Sequence, residues 1–291
     1  MIMDLSVKIV DRLKREFHFN EHEEHLREGK CPACNRKTLW TWKKTPGMVQ
    51  CNRTNECLWQ STTQELFPHL FENINQKYPA TEDNPTRTAD IYLSLVRGFD
   101  LESIKGWYEQ GKYWHPCGDK GSATVRFYLD EAKTIMWERL IDDILITDYD
   151  GHQEIRNKNF KGHFKGLWWQ PPGFVIEEND EIYWCEGILD AIALNLNGYK
   201  AVAIMSAGTF PEHSIKPYLG KGIKWVLAVD NDATGRRCLQ KHARKLREMQ
   251  EQVAAILSSE YEEKSDWNDL YKIKKLSARN MADYRPRGSP A

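Results

Sequence analysis

Residues 227–237 read LAVDNDATGRR: an apolar run, two aspartates one residue apart, a Thr-Gly, then a pair of arginines. The run KWVLAV that ends just before Asp230 has the length and apolar content of a buried strand. Two carboxylates set down where such a strand ends form either a turn with a helix cap or part of a cation site. Two further acidic groups sit at matching places. Glu186 directly follows the strand-like EIYWC, with Asp190 one helical turn on, and Asp266 and Asp269 lie in KSDWNDL after the apolar VAAIL. Between them strand-like and helix-like segments alternate: EIYWC, ILDAIALNL, KAVAIM, PEHSIKPYL, KWVLAV, a helix over about 233–250, VAAIL and DWNDLYKI. That alternation predicts right-handed crossovers and a central parallel sheet flanked by helices. Ligands of such a sheet gather at the carboxyl edge of its strands, so Glu186, Asp230 and Asp232 are expected to converge. Converging carboxylates repel one another unless divalent cations neutralise them, and ligation by oxygen alone selects Mg²⁺ or Mn²⁺. Taken singly, Asp232 before ATGRR also reads as a helix N-cap. Three acidic groups in register do not reduce to that.

The chain has 291 residues, a formal charge of −1, and is 41% hydrophobic and 29% charged. This is the composition of a globular protein with room for more than one domain. Near-neutral charge removes any global electrostatic argument for nucleic acid, so such an argument must be local. MIMDLSVKIVDRLKREF carries Asp4 and Lys8 inside its apolar stretch and no cleavage-site pattern, so it is not a secretory leader. No run reaches the roughly 18–20 apolar residues of a membrane span. A cytoplasmic location and no membrane partner are expected. There is no G-x-x-x-x-G-K-[ST], so a P-loop ATPase is excluded within these residues.

Of seven cysteines, four lie between residues 31 and 57, as Cys31-Pro-Ala-Cys34 and, after sixteen intervening residues, Cys51 with Cys57. Two cysteine pairs separated by a hairpin-sized stretch suit a tetrahedral four-thiolate zinc site. Trp40-Thr-Trp42 and Met48-Val-Gln50 supply the two strands, with Thr45-Pro-Gly47 as the turn, and the pattern is a zinc ribbon. His18, His22 and His25, at helical spacing in an acidic stretch, are a weaker rival donor set. Lys30, Arg36, Lys37, Lys43, Lys44 and Arg53 surround the cysteines with no acidic residue between 30 and 55, and Trp40, Trp42 and Trp59 are interleaved. Cations for phosphates with aromatic faces for unpaired bases make a single-strand-binding surface, although the tryptophans serve equally as the ribbon's own core.

Leu5, Ile9, Leu13 and Phe17 repeat at helical spacing, which predicts an amphipathic helix over 4–18. QKYPATEDNPTRTAD reads as a linker. The expected organisation is an N-terminal helix and zinc ribbon (1–75), a linker (76–90), a basic mixed α+β subdomain (91–175) and an α/β domain to the end (176–291). The fold class is therefore α/β and α+β, multidomain.

The order E-G-x-x-D-A, D-N-D-x-x-G, K-x-D-x-x-D resembles the TOPRIM domain of primases, topoisomerases and certain nucleases. The succession of zinc ribbon, mixed β region and TOPRIM resembles bacterial and phage DNA primases (DnaG-like) over nearly the whole chain. Arg126-Phe127, Trp137-Glu-Arg139-Leu and Arg156-Asn-Lys158-Asn159-Phe look like the basic stretch that precedes TOPRIM in those enzymes. The resemblance implies catalytic roles for Glu186, Asp190, Asp230, Asp232 and Asp266, with magnesium or manganese on Glu186, Asp230 and Asp232. It also implies structural zinc on Cys31, Cys34, Cys51 and Cys57. Nucleic-acid or nucleotide contacts fall to Arg126, Arg139, Lys158 and Asn159, with Lys43, Lys44 and Trp42 on the ribbon. The activity implied is synthesis of short RNA primers on single-stranded DNA from NTPs, alongside a replicative helicase and a single-strand-binding protein, in a phage or mobile element. Two departures stand out. The ribbon's ligands are all cysteine, where cellular primases include a histidine, and Asn268 stands where a second acidic residue is common. A TOPRIM nuclease and a non-catalytic, single-strand-binding helicase recruiter are the alternatives. A topoisomerase is disfavoured, because the large domain bearing its nucleophilic tyrosine has no counterpart.

Overall fold

The computed structural model describes residues 3–53, 56–206, 208–230, 232–258, 266–272 and 281–283. Its contacts divide the chain into two compact units, one of 1–127 with 138–159 and one of 128–137 with 160–291.

The first unit opens with α1 (Met3–Phe17), which has Asp4 in its first turn and Lys14 and Arg15 in its last, both favourable to the helix dipole. Leu5, Ile9 and Leu13 form its fully buried stripe. A five-stranded antiparallel sheet follows, in the order β1 (Asn20–Glu21), β2 (His25–Lys30), β3 (Lys37–Trp42), β4 (Met48–Cys51), β5 (Gln60–Thr62). The helix ends at Phe17, His18 adopts φ 55°, and His25 lies on β2. The rival histidine donor set therefore loses the shared helical face on which it depended. Leu26, Leu39 and Val49 from the sheet join the stripe of α1 in one core with Cys31 and Cys51.

Short helices α2 (Thr63–Leu66), α3 (Pro68–Phe71), α4 (Ile74–Lys77) and α5 (Arg87–Ile91) connect the ribbon to a second sheet, with a π-helical turn over Tyr92–Val96. Residues 76–90 do not behave as a free linker. Tyr78 is 4% exposed and Thr88 is fully buried, its hydroxyl donating to the Tyr78 carbonyl at 2.8 Å. Phe67, Phe71, Ile74, Tyr78, Ile91 and Leu95 all belong to the core under the ribbon. The second sheet is four-stranded, in the order β6 (Glu109–Tyr113), β7 (Ser122–Tyr128), β8 (Met136–Thr147), β9 (Gln153–Lys161).

The second unit is built on a five-stranded sheet in the order β11 (Lys200–Ala203), β10 (Glu181–Cys185), β12 (Lys224–Val229), β13 (Gln252–Ser258), β14 (Met281–Asp283). Its first four strands run parallel and β14 antiparallel. Five of six residues of KWVLAV and four of five of EIYWC are buried, as central strands covered on both faces must be. The crossovers carry α6 (Ile188–Leu196), α7 (Glu212–Ile215) and α8 (Ala233–Glu248), and α9 (Trp267–Lys272) lies between β13 and the antiparallel β14. A core of Trp168, Trp184, Trp225, Ile182, Leu227 and Leu239 fills this unit. The order β11-β10-β12-β13 brings the carboxyl ends of β10 and β12 side by side, which places Glu186 next to Asp230.

Candidate active site and metal centres

The four cysteines Cys31, Cys34, Cys51 and Cys57 bring their sulfurs within 4.8 Å of one another. The Cys31–Cys57 and Cys34–Cys51 separations are 3.7 and 4.0 Å. Tetrahedral thiolates at the roughly 2.3 Å of a zinc–sulfur bond lie about 3.8 Å apart, so the set fits zinc with no ligand moving far. The loop after β2 prepares it. The backbone N–H of Arg36 holds the Cys34 thiol down to about 6, whereas burial pushes Cys31 up to about 12. A thiol raised in that way would release its proton to solvent near neutral pH when a bound metal ion takes the proton's place.

The strand-end carboxylates form the second centre. Glu186 and Asp230 each leave one buried oxygen, Oε1 and Oδ1, without a hydrogen-bond partner. Burial first, and then the charges of Glu186, Asp266, Asp232 and Asp269, raise the Asp230 carboxyl to about 7. Burial and the charge of Asp232 raise Glu186 likewise, against a smaller opposing pull from the Asp230 backbone. Buried acceptors that repel one another and keep an unpartnered oxygen each are what a hard cation satisfies. These carboxylates are spaced more widely than the cysteines: among the described residues the other group within 4.8 Å is Asp148, Asp150 and His152. That trio is exposed on the turn between β8 and β9. There Asp148 accepts the backbone N–H groups of Asp150 and His152 at 2.9 and 2.8 Å, which is turn chemistry.

Each remaining acidic residue has a distinct placement. Asp232 is the N-cap of α8, its Oδ1 accepting from the Gly235 N–H at 2.6 Å, so its capping and site positions coincide. Gly235 has to be glycine here: a Cβ would meet the Asp230 carbonyl oxygen at 2.3 Å and Glu186 Oε1 at 3.0 Å. Asp190 is 8% exposed, and its Oδ1 accepts the Asn268 N–H at 3.0 Å, which ties α6 to the first turn of α9. Trp267 reinforces that tie through Nε1, which donates to the Ala228 carbonyl on β12 at 2.8 Å. Asp266 accepts the Asp269 N–H at 2.7 Å at the start of α9, and its charge reaches Asp230. Asn268 is thus fully buried as a structural donor.

On the second sheet, Arg126 and Asn159 come together. Both contact the buried carboxylate of Glu138, a residue that the sequence reading passed over. Arg139 follows Glu138 on β8 and so points to the opposite face; its Nη2 lies 3.9 Å from Asp143. Lys158 is exposed. On the ribbon, Leu39 and Thr41 of β3 face the core while Trp40 and Trp42 alternate to the other face. Trp42 packs on His25 with ring centroids 3.9 Å apart and the planes tilted by 40°, and Trp40 stands edge-on to Trp42 at 6.2 Å. Trp59, by contrast, packs on Phe17 against the core. Lys44 is exposed, and Lys43 pairs with Glu21 at 2.7 Å.

The sequence of residues 183–271 matches the Toprim-like family model. This segment is a Toprim-like domain. It spans β10 to α9 and contains Glu186, Asp190, Asp230, Asp232 and Asp266. No curated protein matches the chain. Among solved structures, the zinc-binding and RNA polymerase domains of the Aquifex aeolicus primase are similar at 14% identity and TM-score 0.47, over 94% of this chain and 82% of that one. A DNA primase domain from Pseudomonas aeruginosa is similar at 17% identity and TM-score 0.38, over 69% and 59% of the two chains. The RNA polymerase domain of Mycobacterium tuberculosis primase DnaG gives 15% and 0.38, over 71% and 70%. At these levels of identity and overlap the functional reading rests on the chain's own residues. Among the described residues no helix is long and apolar enough to cross a membrane.

Proposed function

We propose that the protein is a DNA primase that makes short RNA primers on single-stranded DNA by metal-dependent nucleotidyl transfer. The observation that carries this reading is the pair of buried, unpartnered carboxylate oxygens of Glu186 and Asp230, set in a Toprim-like domain on a chain that also bears a four-cysteine ribbon. In this reading Cys31, Cys34, Cys51 and Cys57 hold zinc, and Glu186, Asp230 and Asp232 hold Mg²⁺ or Mn²⁺. The divalent ions, when bound, neutralise the triphosphate and activate the primer 3′-hydroxyl. Asp266 adds negative charge beside them, and Asp190 fixes the helix that follows Glu186. The outer face of the ribbon, with Trp40, Trp42, His25 and exposed Lys44, stacks and neutralises the template strand. Arg126, Asn159 and Lys158 serve the nucleotide or template on the second sheet. A replicative helicase and a single-strand-binding protein are the partners this activity calls for.

The test is incorporation of labelled NTPs on single-stranded DNA in Mg²⁺. The wild type is expected to yield short RNA products. Asp230→Ala should abolish them (a loss of at least 100-fold) while leaving the zinc content unchanged. Degradation of labelled DNA without incorporation would instead identify a nuclease.

A further inference from the structure

Glu138 is the third residue of β8, 4% exposed, and the roles assigned so far leave it unused. Its Oε1 accepts from the Thr124 hydroxyl at 2.9 Å and from Arg126 Nε and Nη2 at 2.9 and 2.8 Å. Its Oε2 accepts from Asn159 Nδ2 at 2.8 Å. One carboxylate on the central strand β8 therefore holds a side chain from each neighbouring strand, β7 and β9. The sheet makes room for the arrangement at Gly111 of β6. A Cβ there would lie 2.4 Å from Arg126 Nη2, 2.6 Å from Thr124 Oγ1 and 2.7 Å from Glu138 Oε1.

The donor–acceptor logic gives this cluster a direction. A carboxylate only accepts, so Asn159 must turn its NH₂ toward Glu138 and its carbonyl oxygen away. Two guanidinium nitrogens fixed on one oxygen likewise lock the plane of Arg126. Neither side chain has to find its orientation when a ligand arrives, and preorganisation of that kind is read as binding affinity.

We propose that Glu138 is a positioning residue for nucleotide binding: it sets the Arg126 guanidinium and the Asn159 amide so that the second sheet offers a fixed cation and a fixed acceptor to the incoming nucleotide. Gly111 is part of the same device. The inference deepens the primase reading and rests on it for the identity of the ligand.

The isosteric change Glu138→Gln keeps the volume but introduces a second amide, whose own NH₂ competes to face Asn159. The double change Glu138→Gln with Asn159→Asp restores a donor–acceptor match, with the introduced amide donating and the introduced carboxylate accepting. We would measure KM and kcat for NTPs in primer synthesis, MgATP binding by titration calorimetry, and Tm, for the wild type, E138Q, E138Q/N159D and G111A. E138Q is expected to raise KM for NTPs about tenfold and weaken MgATP binding equally, with kcat changed less than threefold and Tm within about 3 °C. The double variant should recover most of the loss, and G111A should resemble E138Q. Unaltered KM and binding in E138Q would overturn the proposal, as would losses that merely follow Tm and show no rescue. A wild type that binds MgATP but makes no primers would sink the primase reading alone. In that case weaker binding by E138Q still upholds the role of Glu138 and unchanged binding still removes it. A wild type that does neither ends both.

Discussion

At the scale of single residues, Asp230 carries the consequence easiest to measure. Its carboxyl is raised from the usual 3.8 to about 7, first by burial and then by neighbouring negative charge, and Glu186 is raised for the same reasons. The sign of the linkage follows. Between those two values the folded chain keeps a proton that the unfolded chain has lost, so the group's stabilising contribution is complete below pH 4 and disappears as pH rises through 7. A divalent cation replaces the proton as the neutralising charge. In EDTA, Tm is therefore expected to fall as pH goes from 5.5 to 8, and the rise in Tm on adding 10 mM Mg²⁺ should be larger at pH 8 than at pH 5.5. Asp230→Asn should flatten both effects and, at pH 8 without metal, should be more stable than wild type by a few degrees. A Mg²⁺ effect that does not vary with pH would show that these carboxylates are not the ligands. Asp230, Asp232 and Glu186 were legible in the sequence because they stop apolar strands. Glu138 was not: in WERLIDD, with Arg139 beside it and Asp142 and Asp143 close behind, it looks like an ordinary surface charge until β7 and β9 are laid beside it.

At the scale of elements, strand periodicity and helix caps carried the sequence reading. The parallel strands, α1 and α8 could be read from their apolar runs and heptad-like spacing. β9 could not, because none of its residues is fully buried and its sequence carries no apolar alternation; a polar, basic stretch was all the sequence offered there. Residues 76–90 misled for the opposite reason. Their two prolines and small polar residues suggest a linker, whereas Tyr78 and Thr88 anchor them in a core that composition does not reveal. Gly235 shows what an element boundary can hold. Glycine near a helix start costs about 1 kcal/mol relative to alanine, so Gly235→Ala would stabilise an unconstrained helix. Here the added methyl collides with the Asp230 carbonyl and crowds Glu186. The expected outcome is lower Tm, loss of the Mg²⁺-induced Tm rise and at least a 100-fold fall in primer synthesis. Gln240→Ala, on the exposed side of the same helix, should be neutral in all three. A G235A protein with wild-type Mg²⁺ response would place the cation elsewhere.

At the scale of the whole molecule, each candidate metal centre belongs to its own core. Cys31 and Cys51 are buried with Leu26, Leu39 and Val49 beneath α1, whereas Trp225, Leu227 and Val229 of the strand that leads to Asp230 are buried with Trp168, Trp184 and Leu239. The sequence pointed to both candidate clusters but not to how far the first core extends: Ile91 and Leu95, well beyond the ribbon, share it. Contacts of that separation leave no local periodicity to read. With zinc on the four cysteines as proposed, the thiolate–metal bonds would contribute directly to the folding of the ribbon. Removing zinc with a strong chelator, or by Cys51→Ser, should therefore weaken single-stranded DNA binding at least tenfold and lower the melting of the first unit. The second unit, whose core contains no ligand of that centre, should keep its Mg²⁺-dependent rise in Tm. Calorimetry with each metal added separately checks this: zinc is expected to move one transition and magnesium the other. One transition shifted equally by both ions would mean that the two cores melt together, and the division of labour between them would have to be abandoned.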